Sequence, residues 1–120
     1  MTAQGNAGEP SASDPPGTGE RRAAPRHPST QRITCYPAGG GLHERRPARV
    51  RNVSRSGIGL VVDRHWPPST ALLLELPGEE GVRVARARVV HATSLPGGTF
   101  LIGCTFDAPL SDAELQTLAR

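Results

Sequence analysis

The chain reads as an all-β protein, a six-stranded antiparallel barrel with a short C-terminal helix. Three observations predict it. Apolar and polar residues alternate with period two in short runs from Ile33 to Phe106. Turns rich in Gly and Pro separate these runs, and no run alternates with a long helical pattern as a βαβ fold would require. Only the segment after Leu110 changes to a helical period.

Ile33 and Cys35, alternating with Arg32, Thr34 and Tyr36, predict a half-buried first strand that Pro37-Ala38-Gly39-Gly40-Gly41 ends. A second follows at Ala48 to Val53, with Ala48 and Val50 on one face and Arg49, Arg51 and Val53 on the other. Ile58, Leu60 and Val62 give a third. After a loop at Trp66-Pro67-Pro68-Ser69, Leu72, Leu74 and Leu76 give a fourth. In Val82 to Thr93 the apolar phase runs Val82, Val84 and then Ala85, Ala87, Val89, a slip that predicts a β-bulge near Val84. Leu95-Pro96-Gly97-Gly98 reads as a hairpin turn, and Phe100, Ile102, Cys104 and Phe106 make the sixth strand. Ser111 with Glu114 forms a capping box and Leu110 with Leu115 a hydrophobic staple. Leu115 and Leu118 then face the sheet from a terminal helix.

At 120 residues and 36% hydrophobic content the chain fits one small domain and a tail. Residues 1–20 contain no Val, Ile, Leu, Phe, Trp, Tyr or Cys, so they bury too little apolar surface to offset ordering and are expected to be disordered. The domain then spans 21–120. No signal-peptide core and no run of roughly 18 apolar residues is present, so a cytoplasmic protein without a membrane span is expected. Cys35 and Cys104 stand in apolar strand contexts without CxxC spacing and read as buried free thiols.

All 14 positively charged residues are arginine. Between Arg21 and Arg64 there are ten of them (21, 22, 26, 32, 45, 46, 49, 51, 55, 64) against Glu44 and Asp63, so 10 − 2 gives +8. Such a block selects an anion: nucleic acid, an acidic membrane surface or a phosphorylated small ligand. Arg45, Arg46, Arg49 and Arg51 either extend that site or line a solvent face, the latter being favoured for Arg45 and Arg46.

Two stretches stand out within the block. Arg21-Arg22-Ala23-Ala24-Pro25-Arg26 sets Arg22 and Arg26 four apart on an arm that Pro25 and Pro28 keep out of a helix. Asn52-Val53-Ser54-Arg55-Ser56-Gly57 joins the second strand to the third; Asn and Ser are frequent turn formers and Gly supplies positive φ. Each alone is an ordinary feature. An Arg-x-x-x-Arg arm, one strand, and then Asn-x-Ser-x-x-Gly at the mouth of an antiparallel barrel together resemble the PilZ domain family, receptors for cyclic di-GMP. The similarity continues through Val89-Val90, Leu101-Ile102-Gly103-Cys104-Thr105-Phe106, Pro109-Leu110-Ser111 and Glu114-Leu115.

The resemblance implies cyclic di-GMP as ligand, no further cofactor, and Arg21, Arg22, Arg26, Asn52, Ser54 and Gly57 as ligand-binding residues. It also implies a signal passed to an unidentified effector protein as the arm closes. The chemistry agrees: arginine pairs bidentately with phosphate or with guanine O6 and N7, and Asn52 and Ser54 face the guanine N–H edge. Two features depart from the family: Asn52 stands where Asp is frequent, and His91 stands near the place of a strand tryptophan.

Two other readings fit the fold. A nucleic-acid-binding barrel suits the charge, but only two Phe, one Tyr and one Trp are available for stacking, and Phe100 and Phe106 read as core, so nucleic acid is not the expected partner. A PilZ-like interaction module without ligand would have no use for both arginines together with Asn52, Ser54 and Gly57. No enzyme is expected: His27, His43, His65 and His91 lack partners at metal-ligand spacing, and no nucleophile elbow surrounds Ser54 or Ser56.

Overall fold

Leu72, Leu74 and Leu76 repeat at every second position, so a strand carrying them sends all three to one side; the same holds for Ile58, Leu60 and Val62. Six strands built this way bury one face only by curling round it. In the computed structural model, which describes residues 25–78 and 81–119, they do so. The predicted tail 1–20, and Arg21 and Arg22, lie outside the described residues.

The elements are β1 (His27–Pro28), β2 (Arg32–Pro37), a 3-10 turn at Leu42–Glu44, β3 (Arg46–Val53), β4 (Gly57–Val62), β5 (Ala71–Gly78), β6 (Gly81–Leu95), β7 (Thr99–Phe106) and α1 (Asp112–Leu118). All pairings are antiparallel, in the order β1-β3-β2-β5-β6-β7-β4, and a β3–β4 pairing closes the six longer strands into a barrel. The core holds Val50, Ile58, Leu60, Leu72, Leu74, Leu76, Val89 and Ile102. Leu110 and Leu118 bring α1 onto it, with Leu115 half-buried beside them. The capping box forms as expected: Glu114 N–H donates to Ser111 Oγ (3.2 Å) and Ser111 N–H to Glu114 Oε1 (2.9 Å). Glu114 also pairs with Arg83, and that hydrogen bond holds its carboxyl below the ordinary range.

The structure corrects four expectations. The phase slip in β6 is not a bulge near Val84: Leu76↔Arg83, Glu75↔Val84 and Leu74↔Ala85 pair without interruption, and Val82 and Val84 are simply exposed on the outer face. The irregularity lies later, between Val89↔Cys104 and His91↔Gly103, where Val90 is the extra residue. In β3 the register shifts between Val50 and Asn52, so Arg51 is the inserted residue and Val53 joins Ala48 and Val50 inside instead of facing out. Trp66, though in a loop, is buried, while Phe100 is only partly so and meets the His65 ring edge-on at 5.3 Å. The arm does not run separately from the barrel: β1 pairs His27↔Val53 and Pro28↔Asn52 on the same edge of β3 that β2 occupies from Arg32↔Arg49 onward.

Cys35 and Cys104 are buried free thiols, and burial pushes both up to about 12. A folded value above the unfolded one stabilises fully below the unfolded pKa near 9 and is lost as pH rises through the folded value. Stability is therefore expected to fall between pH 9 and about 12, and both thiols should resist iodoacetamide at pH 8 until denaturant unfolds the barrel. Leu74→Ala, removing a fully buried side chain, should cost about 2–5 kcal/mol in urea titration.

Candidate ligand-binding site

β3 ends at Val53, β4 begins at Gly57, and the turn between them is closed by its own groups. Ser54 N–H donates to the Gly57 carbonyl (2.8 Å), and Gly57 N–H donates to Ser54 Oγ (3.1 Å). Ser54 is 2% exposed, so its hydroxyl is committed inside the turn. The turn is tied to the end of the chain as well. Phe106 N–H donates to the Ser56 carbonyl and Leu110 N–H to the Arg55 carbonyl, both at 2.9 Å, and the Arg55 guanidinium pairs with Asp112 at the start of α1.

Gly57 is required for a reason other than the positive φ expected from sequence, since its φ is not in the left-handed region. A Cβ there would lie 2.7 Å from the Cys104 carbonyl oxygen of β7, too close for any side chain. It would also lie 3.4 Å from Arg26 Nη2, because the Arg26 guanidinium lies over this glycine. The strand pairing explains why: with His27 opposite Val53, Arg26 falls beside the turn. Arg26 Nη1 then donates to Asn52 Oδ1 at 2.9 Å.

Asn52 in turn lies over Gly59, whose Cβ would meet Asn52 Oδ1 at 2.8 Å. The register carries the row further across the barrel wall, Asn52↔Gly59↔Gly103↔His91, through β3, β4, β7 and β6. The His91 ring covers Gly103 so closely that a Cβ there would overlap it. At the ordinary strand spacing the row is about 14 Å long. The outer face of β4–β7 is thus a shelf paved by Gly57, Gly59 and Gly103, with Arg26 and Asn52 on one side and His91 on the other. The peptide planes are covered by a guanidinium, an amide and an imidazole, three groups suited to a flat, hydrogen-bonding ring that carries negative charge nearby.

Three of the six residues expected from sequence, Arg26, Asn52 and Gly57, therefore meet at one place, with Ser54 shaping the turn beneath them. Arg21 and Arg22 lie outside the described residues. His91, expected near the place of a strand tryptophan, and Gly59 and Gly103 were not among the site residues expected from sequence. Glycines inside strands are the signal that was there to use, because such a position marks close approach of another group. Among the described residues, no three His, Cys, Asp or Glu side chains cluster as a metal site requires.

Comparison with protein families adds that the PilZ domain model matches residues 20–120, from the arm through α1. The chain belongs to the PilZ domain family. PilZ domains are generally cyclic di-GMP-binding modules and not a catalytic family. No curated protein matches the chain. Among the described residues of this PilZ domain no helix is long and apolar enough to cross a membrane.

The two kinds of glycine separate experimentally. Gly57→Ala forces backbone apart and should lower stability by about 1–3 kcal/mol in urea titration. Gly103→Ala meets only an exposed side chain and should leave the fold in place while shifting the His91 ring resonances in NMR.

Proposed function

We propose that the glycine shelf is the cyclic di-GMP site of this PilZ domain and that its occupancy is signalled through the arginine arm to a partner protein in the cytoplasm. One observation carries this reading: the Arg26 guanidinium lies over Gly57 and is hydrogen-bonded to Asn52, so the arm and the Asn-x-Ser-x-x-Gly turn meet as one site. Arg26 is an exposed, fork-shaped donor able to grip a phosphate or the guanine O6 and N7 pair. Asn52 Oδ1 accepts from guanine N–H groups once Arg26 releases it. Arg26, Asn52 and His91 lie on Gly57, Gly59 and Gly103, so the ring reaches the peptide planes as these side chains turn aside, and the displaced His91 imidazole gives it a flat neighbour.

Arg22, four residues before Arg26, and Arg21 beside it supply the remaining positive charge for the second phosphate. Ser54 acts through the turn it holds. Asn52 in place of a carboxylate keeps Arg26 by a neutral acceptor, a weaker hold than an ion pair, so the ligand displaces it at a smaller cost. No chemical step is assigned to the site. The ligand is bound, and the surface presented by the rearranged arm is what a partner reads.

Isothermal titration with cyclic di-GMP, with GTP run alongside, tests the assignment. Arg26→Ala should weaken binding by about 1–3 kcal/mol, and Arg22→Ala by a similar amount. Saturable binding lost in the double variant supports the site. Unchanged affinity in that variant sinks it, and no heat at millimolar ligand would leave a module acting through protein contacts alone.

A further inference from the structure

Each described acidic side chain from β5 to α1 is already matched. Glu75 pairs with Arg45 at 2.6 Å, Asp107 with Arg86 at 3.2 Å, and Asp112 and Glu114 with Arg55 and Arg83. The reverse holds on β2 and β3, where Arg32, Arg49 and Arg51 are exposed and have no acidic partner among the described residues. Arg32 and Arg49 stand directly opposite each other, so they project to one face, where like charges repel. Both border a hollow of about 260 Å³ beside the point where the β3–β4 pairing ends, together with Pro47, Val61, Asp63 and Thr99. Asp63 is the one acid lining it, so the three arginines leave the face with 3 − 1, or +2.

The sequence holds the missing negative charge close by. Residues 1–20 contain Glu9, Asp14 and Glu20 and no Arg, Lys or His, so 0 − 3 gives −3. The other acids outside the described residues, Glu79 and Glu80, belong to the connection between β5 and β6, two strands away from β3. The acidic stretch is joined to the barrel beside the face it would neutralise. Arg26 is bonded to Asn52, and Arg49 lies only two β4 partners further on, Val61 against Gly59, or about 7 Å. Glu20 is six residues before Arg26 and Asp14 twelve, spans of up to about 20 and 40 Å, so both carboxylates reach Arg49 and Arg32. The chain enters β1 from the turn end of β3 and has to fold back to do so, which Gly17 and Gly19 permit. Exposed ion pairs are individually weak, but a tethered segment acts at an effective concentration of about millimolar.

We infer that the acidic segment 9–20 docks on the Arg32–Arg49–Arg51 face of its own barrel, its carboxylates taking the places that phosphates of a nucleic-acid strand would otherwise occupy. The segment is a built-in competitor. A strand of nucleic acid binds through a run of arginine–phosphate contacts, and covering three neighbouring arginines removes that run. Arg26 and the shelf lie outside the covered face and stay open to a compact ligand. The inference holds whatever that ligand is.

The test uses the full, isotope-enriched chain with a nitroxide on Ala12→Cys, the label being directed there because Cys35 and Cys104 are buried. At low salt the amide signals of Arg32, Arg49 and Val61 should be broadened far more than those of α1, and reducing the nitroxide should restore them. Glu9→Gln, Asp14→Asn and Glu20→Gln together should remove the broadening, as should salt at about 1 M, where the screening length is about 3 Å. In titration with mixed-sequence single-stranded DNA at low salt, that neutral-tail variant should bind about tenfold more tightly than wild type. In an Arg32→Gln, Arg49→Gln background the same change of tail should give no gain. Circular dichroism melts check that every variant is folded. The inference is overturned by broadening at Arg32 and Arg49 no greater than on α1, or by broadening equally strong when the nitroxide sits on a separate, unenriched molecule, which assigns the contact to a second copy. DNA affinity that the neutral tail leaves unchanged, or raises equally in both backgrounds, overturns it too.

Discussion

Gly57 runs so near the β7 backbone that a Cβ would lie 2.7 Å from the Cys104 carbonyl oxygen, and the candidate site depends on that approach. With no side chain on β4 at that point, the turn before it sits down against β7, and Ser54 closes it from inside with two short bonds. Arg26 then has a bare peptide to lie on and Asn52 to bond to. Put any Cβ at Gly57 and it meets the Cys104 carbonyl oxygen, so the strand and the turn that carries Arg26's resting place have to move. The hydroxyl of Ser54 belongs to the same constraint, since it satisfies the buried backbone N–H of Gly57.

Much of this was legible in the sequence because the code of a half-buried strand is simple. Leu72, Leu74 and Leu76 or Phe100, Ile102, Cys104 and Phe106 admit one phase only, and the terminal helix was announced by Ser111 and Glu114. The strand errors occurred where the period is broken. Val82 and Val84 looked like core out of phase, but they are apolar residues on an outer face, and an apolar residue in water is ordinary while a polar one in the core is not. The real bulges, at Arg51 and Val90, carry no such sign. Arg51 is polar and Val90 apolar, and either would suit an uninterrupted strand equally well.

The site was legible as residue types but not as a surface. The spacing of Asn52, Ser54 and Gly57 fixes a turn whatever surrounds it. That Gly59 and Gly103 fall opposite each other, and that Asn52 and His91 end the same row, depends on the register of four strands drawn from distant parts of the chain. The bulge at Val90 sets that register for His91, because without the extra residue the ring would face elsewhere. His91 was therefore invisible to any reading that stopped at motif spacing.

The short strand β1 gives the arm a mechanical character. It extends the line of β2, held to β3 by two register pairs and, through the residues between, by Ser29 N–H donating to the Arg51 carbonyl (3.1 Å) and Val50 N–H to the Gln31 carbonyl (2.8 Å). A piece of sheet this short opens at a small fraction of the free energy needed to unfold the barrel, since almost none of the core goes with it. When it lifts, the rim of β3 at Asn52 and Val53 is left with unpaired peptide groups. The domain thus carries one length of strand edge that is covered or bare according to where its arginine is, and a bare edge is a place where an extended segment of another protein can add itself to the sheet.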